Sequence, residues 1–189
     1  MQPTLWGPGL WHLLFSISWN SHDFGRLSRI ILYFVPQLLP CFKCQDHYVH
    51  NHAILKRRLG EPQTTRDIFV WLYRLKEEVN KQTKMGNLPL RDLEDRYKLH
   101  GGRMDDVLVG DTLILMAIHA EDNGESELFV EFCTTLADML PLPEDSELVK
   151  SMKRVRRPVV THAYRMCKNT RIEHGIAYPT LNHIRHLSA

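Results

Sequence analysis

The sequence predicts an all-α protein, and three observations carry the prediction. Leu27, Ile30, Ile31, Phe34, Val35 and Leu38 fall at i, i+3, i+4, i+7, i+8 and i+11, the apolar stripe of an amphipathic helix. Ile68, Trp71, Leu72, Leu75 and Val79 repeat that period behind Thr64 and Asp67, a capping-box-like helix start. No stretch shows the sustained apolar/polar alternation, rich in β-branched residues and bounded by hairpin turns, that a sheet requires. The chain has 189 residues and is 43% hydrophobic, enough to bury a proper core as one large domain or two small ones.

Taken in order, Trp11, Leu14, Phe15 and Ser18 predict a short first helix, and Asn20, Ser21, Asp23 and Gly25 supply the turn and cap after it. The stripe from Leu27 to Leu38 is the second helix. Pro40 ends it and opens a third, which carries Cys41 and Cys44. The fourth begins at Thr64. Gly86, Asn87 and Pro89, then Gly101-Gly102, break the pattern, so residues 86–103 read as a connector with one short helix over Leu90 to Leu99. This divides the chain into a first unit, 1–85, and a second, 104–189. The second repeats the landmarks of the first in the same order. Gly7 and Trp11 match Gly110 and Ile114, Leu38-Leu39-Pro40 matches Met139-Leu140-Pro141, and Leu72 to Lys76 matches Ala163 to Cys167. In that register Leu142 and Asp145 stand where the first unit has Cys41 and Cys44, so the expectation is a degenerate internal duplication with one catalytic half and one structural half.

Composition removes several classes of function. Lys and Arg total 24 against 22 Asp and Glu, a net charge of +2 with no basic block, which argues against nucleic acid as a partner. The apolar stretch from Leu10 to Ile17 is interrupted by His12 and too short to span a bilayer, so neither a membrane anchor nor a secretory signal is expected. Four cysteines, Cys41, Cys44, Cys133 and Cys167, are too few to scaffold a secreted domain of this length. Cys133 and Cys167 are expected as buried, inert thiols, a disulfide between them being the alternative. Arg154, Arg156 and Arg157 read as a solvated charged face before Pro158.

Cys41 and Cys44 are the candidate chemistry. At i and i+3 on the first turn of a helix, their Cα atoms lie within about 5 to 6 Å, the separation a disulfide needs. The helix dipole and unpaired N–H groups, with Lys43 alongside, favour thiolate over thiol. Such a pair also begins many zinc sites, with His47, His50 and His52 as further ligands on paper, but His at i+3 and i+6 from Cys44 is poorly placed to close a tetrahedron. A thioredoxin-like redox motif would follow a strand, whereas both flanks here are helical.

Trp6-Gly7-Pro8-Gly9-Leu10-Trp11 near the start, Cys41-Phe42-Lys43-Cys44 in the middle and Trp71 followed by Val79-Asn80 together resemble the Erv/ALR sulfhydryl oxidases, over residues 4–84. The resemblance implies a four-helix bundle that holds FAD beside the Cys-x-x-Cys pair. It implies that a Gly7-Pro8-Gly9 turn approaches the cofactor, that Trp11 and Trp71 line its pocket, that Asn80 hydrogen-bonds it, and that His47 and Tyr48 pass the flavin. The family's His four residues past the Trp is Phe15 here, and the His-Asn before x-Val-Asn is Lys76-Glu77, so adenine stacking must differ. Lys76 is either an exposed lysine on a solvated face or a charge turned toward adenine or phosphate. No metal is implied.

By the same resemblance, a substrate dithiol exchanges with the disulfide at Cys41, and Cys44 passes the electron pair to FAD, from which dioxygen takes it as hydrogen peroxide. Minimal members of the family are typical of large DNA viruses, and a catalytic unit followed by a degenerate copy resembles the baculovirus type, a pseudo-dimer within one chain. This implies protein thiol substrates, virion proteins among them, in host cytoplasm or nucleus or in the virion. It also implies assembly as a homodimer or an intrachain pseudo-dimer. The rival expectation is a non-enzymatic helical scaffold that has lost FAD through the changes at Phe15, Lys76 and Glu77 and binds a partner protein.

Overall fold

The computed structural model describes residues 2–177 and 179–188, and among them all regular structure is helical. The first half runs α1 (Pro3–Asn20), α2 (Phe24–Arg29), a π turn (Ile30–Phe34), α3 (Val35–Leu38), α4 (Phe42–Leu59) and α5 (Thr65–Thr83). The connector carries α6 (Leu90–Leu99). The second half runs α7 (Asp106–Asp122), α8 (Ser126–Ala137), α9 (Glu147–Met152) and α10 (Val159–Glu173), and α11 (Leu181–Ser188) follows. No helix of the described residues is long and apolar enough to cross a membrane.

In place of a short helix preceded by a Gly7-Pro8-Gly9 turn, residues 3–20 form one helix with Pro8 inside it. Proline removes one backbone donor and crowds the carbonyl four residues back, here that of Thr4. Thr4 and Pro8 are both exposed, so the orphaned carbonyl meets water and the helix continues.

The Leu27–Leu38 stripe is one helical rod built of α2, the π turn and α3. Asp23 caps it, its Oδ1 accepting from the Arg26 N–H at 2.9 Å. The π turn sits where Pro36 would otherwise press on the preceding turn, and Val35 N–H reaches back five residues to Ile30 O. α5 opens with the predicted capping box: Thr64 Oγ1 accepts from Asp67 N–H at 3.1 Å, and Asp67 Oδ2 accepts from Thr64 N–H at 2.9 Å.

The two halves share one core. α7 is buried around most of its circumference, from Val109 to Ala120, and packs against α1 on one side and α10 on another. Gly9 makes the α1–α7 approach possible: a Cβ there would overlap Thr112 Oγ1 and stand 2.6 Å from Leu108 O. α8 lies against the π turn, with Phe34 and Phe132 rings 5.8 Å apart. The connector is also part of this core, because Tyr97 of α6 wedges among Phe15, Trp19 and Phe69 at 5.8 to 6.1 Å between ring centres.

Candidate functional site

Cys41 and Cys44 form a disulfide at the N-terminus of α4, with Cα atoms 5.1 Å apart. Cys41 is the N-cap residue, and its Sγ accepts from the Cys44 N–H at 3.2 Å. The sulfurs therefore sit where the positive end of an 18-residue helix stabilises a thiolate. Both cysteines are half-buried, while Phe42 between them is 62% exposed. Among the described residues no group of three or more His, Cys, Asp and Glu is placed to hold a metal.

From this pair the site continues along the seam of α4 and α5. Tyr48 is buried, and burial drives its hydroxyl pKa well above the ordinary tyrosine value. The hydroxyl donates to Ile31 O at 2.9 Å, so only the ring of Tyr48 faces Trp71, at 6.5 Å. The His52 ring meets Trp71 edge-on at 5.2 Å. Trp71 Nε1 and Asn51 Nδ2 are buried N–H donors without a partner among the described residues. Gln82 donates to the other end of the Asn51 amide, its Oδ1, at 3.3 Å. An unmet buried donor costs about 1–3 kcal/mol, so two along one seam mark a place for an acceptor-rich ligand. Asn51 carries no motif and was not among the residues the sequence singled out; the unmet amide reveals it.

Across α5 the opposite wall comes from α1. α5 packs on both α1 and α4, whereas α1 and α4 make no comparable contact with each other. Lys76 lies over Phe15 and Trp11, with Nζ 5.6 and 6.0 Å from the ring centres. It is half-buried, not solvated, and has no acidic partner among the described residues. Burial, then the Arg96 charge, lower its pKa from the ordinary lysine value. Phe15 and Lys76, two of the residues at which the sequence departs from the resemblance, are thus in contact.

Other predicted residues lie apart from this seam. A side chain at Gly7 would meet nothing within 4 Å, which leaves its face open, and Pro8 is exposed. The close approach at Gly9 is to α7. Asn80 donates to Gly86 O at 3.1 Å and Asn87 Oδ1 at 2.7 Å, which ties α5 to the connector. His47 is exposed one turn beyond Cys44. Cys133 and Cys167 are buried thiols in α8 and α10. Burial, and then the neighbouring Cys167, push the Cys133 pKa upward, and Cys167 Sγ donates to Gly110 O at 2.7 Å.

Four histidines, His12, His52, His119 and His162, have pKa values below the ordinary histidine value, burial being the main cause for each. For His12 the structural reason is visible: its Nε2 accepts from the Asp105 N–H at 2.8 Å, a bond that only the neutral ring makes. Depressed values mean that the unfolded chain binds protons first. The stabilisation is complete above about pH 6.5 and is lost as pH falls through the lower folded-state values. Urea midpoints at pH 7.5 and 5.5 should show a loss at the lower pH, and His12→Gln should reduce that loss.

Against known proteins, the chain is 27% identical over 107 residues to a protein of Invertebrate iridescent virus 3 named as an FAD-linked sulfhydryl oxidase. The match covers 52% of this chain and 70% of the viral protein. No family model matches the chain. No solved structure matches it either.

Proposed function

We propose that this chain is a flavin-linked sulfhydryl oxidase of the Erv-like kind, from a large DNA virus, that forms disulfide bonds in protein substrates. The observation that carries the reading is the Cys41–Cys44 disulfide capping α4, on the helix that also carries Asn51 and beside α5 with Trp71, whose buried N–H donors have no partner among the described residues. The similarity to the iridescent-virus protein, named as FAD-linked, supports it.

The residues present fit FAD. The Asn51 and Trp71 N–H groups would meet acceptor atoms of the flavin, with the Tyr48, His52 and Trp71 rings as apolar wall. Lys76 would hold a phosphate, the group that best satisfies a half-buried ammonium lacking a carboxylate. FAD held there would supply the two-electron acceptor for the Cys41–Cys44 dithiol, with dioxygen as the final oxidant and hydrogen peroxide as its product.

The protein's own chemistry is thiol exchange. A substrate thiolate attacks Cys41 Sγ, the S–S bond breaks, and Cys44 departs as a thiolate stabilised by the N-terminus of α4. A second substrate thiolate then attacks the substrate sulfur of the mixed disulfide, and Cys41 departs in turn. Substrate loses two electrons as it gains its disulfide, and the Cys41–Cys44 dithiol holds them.

The second half is read as a degenerate copy in a baculovirus-type pseudo-dimer. Helices matched by the landmark register meet each other: α1 packs on α7, and the rod of α2, π turn and α3 packs on α8. The α4 counterpart, α9, shrinks to six residues and carries no cysteine. Protein thiols, virion proteins among them, in host cytoplasm or nucleus are the substrates this reading implies.

The visible spectrum of the purified full chain tests the proposal. Flavin absorption bands, with peroxide formed from dithiothreitol, are expected. A colourless protein that FAD cannot reconstitute would sink the mechanism and bring the scaffold reading forward.

A further inference from the structure

The segment that carries the disulfide is braced from the second half of the chain. Gln45, directly after Cys44, turns its side-chain amide back and donates to Gln37 O at 2.8 Å and Leu39 O at 3.0 Å. Leu39 O also accepts from the Cys41 N–H at 2.7 Å, and Gln45 N–H donates to Cys41 O at 3.0 Å. The loop from Leu39 to Cys41 is thus clasped by Gln45 at both ends. The Gln45 amide nitrogen in turn lies 3.0 Å from His119 Nε2, on α7. The same ring meets Phe42, the residue after Cys41, edge-on at 5.2 Å.

His119 is suited to hold that amide. It is 8% exposed, and its Nδ1 stands 3.2 Å from Asn123 Nδ2, which also donates to His119 O at 2.7 Å. Both ring nitrogens therefore face amide NH2 groups. A neutral ring can accept from one of them, whereas an imidazolium, donating at both nitrogens, would oppose both. Burial lowers the His119 pKa in the same direction, against the opposing pull of Asp122.

We propose that His119 is a positioning residue for the Cys41–Cys44 loop, acting through Gln45, so that the half without a cysteine pair tunes the redox balance of the half that has one. The proposal rests on the reading of Cys41–Cys44 as an exchanging disulfide. His119 and Phe42 hold the Gln45 amide against the Leu39 carbonyl, and that carbonyl fixes the Cys41 backbone in the geometry the closed disulfide needs. The two amide hydrogens are shared among Gln37 O, Leu39 O and His119 Nε2; without the His119 ring the amide is no longer held in the orientation that serves both carbonyls, and the oxidised form loses its advantage over the dithiol.

The test is the equilibrium of Cys41–Cys44 with glutathione buffers, read on the full chain by alkylation and mass. Wild type is compared with His119→Leu, Gln45→Leu and the double variant, with helix content checked by circular dichroism. Each single variant should shift the equilibrium about three- to tenfold toward the dithiol, the range of one net hydrogen bond. The double should shift it no further than the larger single, as coupled residues require. Singles within about twofold of wild type, or effects that multiply in the double, would overturn the proposal. Should His119→Leu lose its helix content, His119→Gln, with a polar end for the Gln45 amide, should fold and shift the balance less than Gln45→Leu; a larger shift would also overturn it. A wild-type pair that does not exchange with glutathione would refute the redox reading itself, a separate outcome.

Discussion

Replacing Cys44 with alanine is expected to lower peroxide formation from dithiothreitol by about a thousandfold or more, the scale seen when a covalent participant is removed. Cys41 alone can still be alkylated, but a single thiol cannot close a disulfide and release oxidised substrate. The fold should survive. The Cys41–Cys44 link closes a loop with sequence separation 3, so it constrains the unfolded chain little, and the Cys41 cap on α4 does not require the partner sulfur. The variant should therefore keep its helix content and, on the proposed function, its flavin bands. Flavin retained with activity abolished assigns the loss to chemistry. Undiminished peroxide formation would remove Cys44 from the mechanism.

Gly9→Val should give a large loss of stability, because Gly9 is buried where α1 meets α7. The added carbon overlaps Thr112 Oγ1 and crowds the Leu108 carbonyl, which belongs to backbone and cannot rotate away. Thr112 is itself committed, its hydroxyl donating to Trp6 O at 3.1 Å. Overpacking of this kind costs about 1–3 kcal/mol and more when backbone must shift. For a chain of this size that corresponds to a fall in Tm of about 2–12 °C. Thermal unfolding followed at 222 nm measures it. Gly7→Ala, in the same helix with open space around it, is the control and should change Tm by less than about 2 °C.

Local rules made most of the helices legible. The capping box at Thr64 and Asp67 and the stripe from Leu27 to Leu38 depend on residues within a turn or two of each other, and both are present as expected. The Gly7-Pro8-Gly9 turn implied by the resemblance is helix instead, because the cost of a proline in a helix depends on whether the freed carbonyl reaches water, which only the assembled surface decides. α7 has apolar residues around most of its girth, so no clear period marks its buried side. The cysteine pair announces itself by spacing. Lys76 does not, because the aromatic faces that cover it come from α1, some sixty residues earlier in the chain. His119 and Gln45 are further apart still, and neither belongs to a motif. Sites assembled from adjacent residues leave a signature in the sequence; sites assembled by packing leave one only in the fold.

On the proposed function, the cap on α4 has a consequence for turnover. Most helix caps are oxygen atoms that have no other duty, but here the atom that anchors the first turn, Cys41 Sγ, is also the one that breaks and remakes a bond. A thiolate accepts from an N–H at least as well as a disulfide sulfur does. Opening the bond therefore leaves the anchor in place, and α4 need not fray and rewind with every cycle. The first turn of α4 keeps its anchor in either redox state, and exchange needs no folding step in between.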